Sequence, residues 1–121
     1  MSGLVVRGYR VELPHWPACF QVARSRGQAI AATWRDFACC YDGTSFKDFL
    51  KLRPRAYRQD LGGRFGEPLT VCGKPAFYVS HNAQYIQFVR PGSDVVLNAH
   101  PFDVEPPEAR RGTPYYRADA A

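Results

Sequence analysis

The hydrophobic period changes once along this chain, at Leu61–Pro68, and that change restricts the fold more than any single motif does. The segment LGGRFGEP holds three glycines and a proline, a composition suited to a loop between differently patterned halves. Before it, Ile30, Trp34, Phe37, Ala38 and Tyr41 recur at steps of three and four, which makes one stripe of an amphipathic helix. After it, Leu69–Val71, Ala76–Val79, Gln84–Val89 and Val95–Leu97 are short runs rich in β-branched and aromatic residues. The sequences CGKP, SHN and RPGSD separate them, turn chemistry that favours antiparallel neighbours, with Gly73 and Gly92 at positive φ. The expected fold class is therefore α+β.

The first half can be read further. Leu4–Leu13 alternates as a strand, with Val5, Tyr9, Val11 and Leu13 on one face and Arg10 and Glu12 on the other, Arg7 interrupting the apolar side. Pro14 and Pro17 bracket a turn around His15 and Trp16, and Cys19–Ala23 returns as the second strand of a hairpin. Ser25 with Gln28 has the form of a capping box opening the long helix, and Gly43 suits its end. Ser45 with Asp48 repeats the pattern for a short helix, Phe46 to about Leu52, where Phe46, Phe49 and Leu50 share a core face and Lys47 and Lys51 the opposite one. Pro54 cannot lie inside that helix, because it lacks an N–H and clashes with the preceding turn. The chain should then run extended, with Arg53, Arg55 and Tyr57 pointing one way and Pro54, Ala56 and Arg58 the other.

With 121 residues, 45% of them hydrophobic, the chain can bury a core, and one domain is expected. We read residues 1–104 as a single α+β domain: a basic ββααβ half (1–60), the loop 61–68 and a meander half (69–104). Residues 105–121 read as a surface tail that Tyr115 and Tyr116 pin. No run of 18 apolar residues exists and the N-terminal stretch carries Arg7 and Arg10, so neither a membrane span nor a signal peptide is expected. The expected location is the cytoplasm, with the four cysteines as reduced thiols in the core.

Catalytic and metal chemistry find little support. His15 and Cys19 are four apart but flanked by prolines, Cys39 and Cys40 point about 100° apart on a helix, and no CxxC or HxxxH pair exists, so no metal is expected. The loop GGRFG lacks the order of a phosphate-binding glycine loop. No activated cysteine and no positioned carboxylate pair can be recognised. A small enzyme or metalloprotein using Cys and His residues is the weakest alternative, and no cofactor is expected.

Binding is better supported. Ser45–Arg58 carries Lys47, Lys51, Arg53, Arg55 and Arg58 against Asp48 alone, interleaved with Phe46, Phe49 and Tyr57. The formal charge is +5 and belongs to the first half: Met1–Arg64 has eleven Lys or Arg and five Asp or Glu, and the remainder five and six. Thirteen of the sixteen cations are Arg, whose planar fork suits phosphate and carboxylate. Lys47, Lys51, Arg53, Arg55, Tyr57 and Arg58 are thus the candidate binding residues, with Arg24, Arg26 and Arg35 nearby if they share one ridge. A second candidate is the polar and aromatic turn of Tyr78, His81, Asn82 and Tyr85, where His81 reads better as a turn or hydrogen-bonding residue than as a catalyst.

Two stretches, YRVELPHWPACFQVARSRGQAIAATWRDF with SFKDFLKLRPRAYR, and VCGKPAFYVSHNAQYIQFVRPGSDVVLNAHP, resemble small uncharacterised proteins of proteobacterial phages and prophages. Together they cover more than half the chain. The resemblance carries no activity; it implies a phage origin. Small phage proteins of this kind are often single-domain binders that block or redirect host machinery, anti-CRISPR proteins among them, or accessory proteins acting on phage DNA. The expected function is non-enzymatic docking on host nucleic-acid-handling or nucleoprotein machinery, the alternative being direct DNA or RNA binding by the same patch. The partner's identity and the oligomeric state are not legible in the sequence.

Overall fold

A computed structural model describes residues 3–41, 43–60 and 62–117. The fold is α+β: an N-terminal hairpin, one long and one short helix, and two antiparallel sheets of three and five strands. Val6–Asp60 forms one compact unit, and the described residues of 1–5 and 61–121 form another.

In the first unit β1 (Arg7–Glu12) lies between β2 (Cys19–Ala23) and β3 (Arg55–Arg58), both antiparallel to it. Tyr9 and Val11 of β1 are buried with Ala23 and with Ala29 of α1 (Arg26–Cys40), and Ile30 and Ala56 pack against this cluster. The helix starts where its cap dictates: Ser25 Oγ accepts from the Gln28 N–H at 3.2 Å. The Gln28 side chain reaches one residue beyond a standard capping box, its Oε1 accepting from the Arg24 N–H at 3.2 Å. The helix ends at Cys40 with Tyr41 as its cap, two residues before the Gly43 expected to stop it.

A second helix, α2 (Phe46–Leu50), is capped by Ser45, whose Oγ accepts from the Asp48 N–H at 3.1 Å. Of the three residues expected to form its core face only Phe49 is fully buried, 5.4 Å from the Phe37 ring. Phe46 packs edge-on to Trp34 at 5.3 Å but stays partly exposed, as does Leu50. A five-residue helix presents barely more than one turn, so one position can point straight into the core. Trp34 Nε1 donates to the Thr44 carbonyl at 2.9 Å, tying the segment between the helices to α1.

The second unit is the expected meander with one addition. β4 (Pro68–Val71), β5 (Lys74–His81), β6 (Ile86–Val89) and β7 (Leu97–Ala99) pair in sequence order, and β8 (Val104–Glu105) returns to pair with β4. Cys72 and Gly73, at φ 53° and 78°, form the two-residue turn between β4 and β5, and Gly92 takes φ 75°.

Two sequence expectations are corrected here. Residues beyond 104 are not simply a surface tail: Ala109 is buried in the same cluster as Leu69, Val71, Tyr78, Ile86 and Phe88. Arg64 holds the segment by donating from Nη2 to the Ala109 carbonyl at 2.7 Å and from Nη1 to the Arg111 carbonyl at 3.0 Å. Tyr115 packs on His100 at 4.6 Å and on Phe102 at 5.0 Å, the pinning its ring suggested. The cysteines are not core thiols either, since Cys39, Cys40 and Cys72 are exposed and Cys19 is half-buried. Cys39 lies off the Ala29 and Thr33 face of α1, Cys40 is the last residue of that helix, and Cys72 occupies the tip of a turn.

Candidate functional site

α1 covers one face of the three-stranded sheet, the face bearing Tyr9, Val11, Ala23 and Ala56. Pleating sends the alternate residues to the outer face, and strand register decides who meets there. Arg10 lies directly opposite Phe20 of β2 and directly opposite Tyr57 of β3, so one row across the sheet reads Phe20, Arg10, Tyr57. Beside it Glu12 opposes Arg55, and Gly8 opposes Val22.

This row is accessible. Phe20 is 62% exposed and Tyr57 38%, high values for aromatic residues in strands. The Arg10 guanidinium sits 5.3 Å from the centre of the Tyr57 ring, a cation–π arrangement that fixes both. Arg10 Nε lies 3.0 Å from Glu12 Oε2, an ion pair whose angle does not make a hydrogen bond. The Glu12 carboxylate is therefore drawn to Arg10, and the Arg55 side chain has no hydrogen bond or ion pair among the described residues.

The expected patch is split by the fold. Arg55 and Tyr57 come together on the outer face, whereas Arg58 opposes Tyr9 and belongs to the helix side of the sheet. Arg53 precedes the strand in a left-handed conformation at φ 57°, so it does not share the alternation of Arg55 and Tyr57. Lys47 and Lys51 are exposed on α2, in the helical layer, and Lys51 pairs with Asp48 at 3.3 Å. Arg26 and Arg35 are exposed on α1, and Arg24 closes β2. The cations thus form no single ridge. Phe20 and Arg10 were not among the sequence candidates; the signal for them is that Phe20 alternates with Cys19 and Gln21 in a strand whose partner carries Arg10.

The second candidate cluster holds its own unit together. Tyr78 is buried, with the Arg64 guanidinium 4.2 Å above its ring, and its hydroxyl is hydrogen-bonded to His81 Nδ1. Asn82 Oδ1 accepts from the N–H groups of Gln84 at 2.8 Å and Tyr85 at 3.0 Å, closing the β5–β6 turn. Gly112, at φ 88°, lies so close to the His81 ring that a β-carbon there would overlap it. Burial raises the Tyr78 hydroxyl above its usual range despite the opposing field of Arg64, so it stays a donor. His81 is lowered, first by desolvation and then by Arg64.

This gives a pH prediction. A folded-state histidine pKa below the unfolded value means that the unfolded chain binds the extra proton first. The contribution is present above about pH 6.5, the unfolded value, and is lost as pH falls through the folded pKa. Protonation also turns Nδ1 into a donor and ends its acceptance from Tyr78. Thermal melting is expected to show lower stability at about pH 5 than at about pH 7.5, and His81→Gln should remove part of that difference.

Among the described residues no group of three or more His, Cys, Asp or Glu is placed to hold a metal ion, and no helix is long and apolar enough to cross a membrane. A concavity of about 510 Å³ is lined by Phe102, Pro107, Arg110, Pro114 and Tyr115, among others, but Arg110 is committed to the Val104 carbonyl and to Glu105. A scan against protein-family models, a search of curated proteins and a search of solved structures each found no match.

Proposed function

We propose that this chain is a non-enzymatic binding protein that docks on host nucleic-acid-handling or nucleoprotein machinery through the outer face of its three-stranded sheet. The observation that carries the reading is the exposed row Phe20, Arg10, Tyr57 with Arg55 unengaged beside it. Aromatic rings and arginines are the side chains that dominate recognition surfaces, since they combine large contact area with directional polar groups. Charge supports the same partner class. Residues 6–60 hold ten Lys or Arg against five Asp or Glu, and the rest of the chain six against six, so the whole net charge of +5 resides in the unit that carries this face, though several of its cations, Arg26, Arg35 and Lys47, lie on the helices. Such a field draws a polyanionic assembly and raises its rate of encounter.

The phage-type part of the proposal, counter-defence inhibition included, is supported by the resemblance of the two quoted stretches. The bacterial cytoplasm is where such a partner would be met.

Immobilised protein incubated with a bacterial lysate is expected to retain nucleic-acid-handling proteins, and Arg55→Glu to release most of them. Reversing a charge at a contact both removes an attraction and adds a repulsion, worth about tenfold or more in affinity. Retention left unchanged by Arg55→Glu combined with Tyr57→Ala would contradict the role assigned to this face.

A further inference from the structure

We infer that the component contacted by the outer face is single-stranded nucleic acid, stacked on Phe20 and Tyr57 with its phosphates near Arg55. The inference rests on the binding role proposed above and names its ligand.

Geometry supplies the first reason. Phe20 and Tyr57 both oppose Arg10, one on each side. They are two strand spacings apart, about 10 Å. A splayed strand can place one base on each ring and pass its backbone over the Arg10 between them. Every base has a π-face, so rings held on a sheet act as platforms that tolerate sequence. A duplex keeps its base faces inside its own stack and cannot use them.

The second reason is chemical. Phe20, 62% exposed, has no ring or cation partner among the described residues, so most of its ring face is open to a ligand. Arg55 precedes Tyr57 by two residues on the same face and has a guanidinium free for phosphate. Glu12 is the one carboxylate that the register places on this face, and it is held 3.0 Å from Arg10. Its charge opposes a phosphate, so Glu12→Gln is expected to tighten binding severalfold.

The test is fluorescence anisotropy with labelled dT and rU oligonucleotides of about 12 nucleotides, beside a DNA duplex of the same length. Expected are binding of the single strands at least about tenfold tighter than of the duplex, loss of about tenfold or more with Phe20→Ala, and retention with Arg35→Gln on α1. Binding should weaken only a few-fold between about 50 and about 200 mM salt, as contact with one or two phosphates requires. The dT and rU arms show whether DNA, RNA or both are taken. Equal affinity for duplex and single strand, unmoved by Phe20→Ala, overturns the inference in favour of unspecific charge attraction. No binding of any oligonucleotide, together with a nuclease-resistant lysate complex that Arg55→Glu releases, overturns it in favour of a protein contact and leaves the docking role standing.

Discussion

Replacing both Phe20 and Tyr57 by Ala is expected to weaken single-strand binding by about two orders of magnitude or more, since each stacked base contributes about 1–3 kcal/mol. The melting temperature should barely move. Both rings stand on the outer face, with Phe20 62% and Tyr57 38% exposed, so truncating them opens no cavity. The two losses should not add. Tyr57 also holds the Arg10 guanidinium 5.3 Å from its ring centre, so Tyr57→Ala frees Arg10 as well, and contacts sharing a partner couple. Anisotropy titrations of the two single variants and the double variant, with circular dichroism confirming the fold, check both statements.

Phe49→Ala is expected to destabilise the unit formed by residues 6–60 by about 3–5 kcal/mol, the cost of removing a fully buried aromatic side chain and leaving its cavity. Phe49 is wholly inaccessible and packs on Phe37. The consequence reaches the proposed binding face. α2 has five residues, too few to persist as an isolated helix, and Phe49 is its buried anchor. From α2 the chain turns through Arg53 into β3, whose pairing with β1 puts Tyr57 and Arg55 in place. Urea and thermal unfolding should show the loss, and oligonucleotide affinity should fall with it. Phe46→Ala, at a partly exposed position, should cost far less.

What could be read from the sequence follows from how local the cause is. Ser25 and Ser45 cap helices because the groups they bond lie three residues away, and Cys72–Gly73 turns because two adjacent residues accept positive φ. Arg55 and Tyr57 share a face because a strand alternates, and Pro54 marks where the helix cannot continue. Phe20 was not legible as part of the site. Its place beside Arg10 depends on the register between β1 and β2, which the irregular loop from Leu13 to Ala18 sets and no alternation rule determines. The end of the chain was misread for a similar reason. Its Pro and Arg content suggests solvent, yet Arg64, 47 residues earlier than Arg111, supplies the hydrogen bonds that hold it. The basic run from Lys47 to Arg58 looked like one ridge because its residues are consecutive. A helix, a left-handed residue and a strand send them to different layers.

The most direct test of the outer face as the contact surface is an amide NMR titration of the protein with the dT or rU oligonucleotide. The expected result is that the largest shift changes fall on Arg10, Phe20, Arg55, Tyr57 and their strand neighbours, and that Arg35 of α1 and Lys47 of α2 stay still. Changes concentrated on the helical layer, or on residues 62–117, would contradict it.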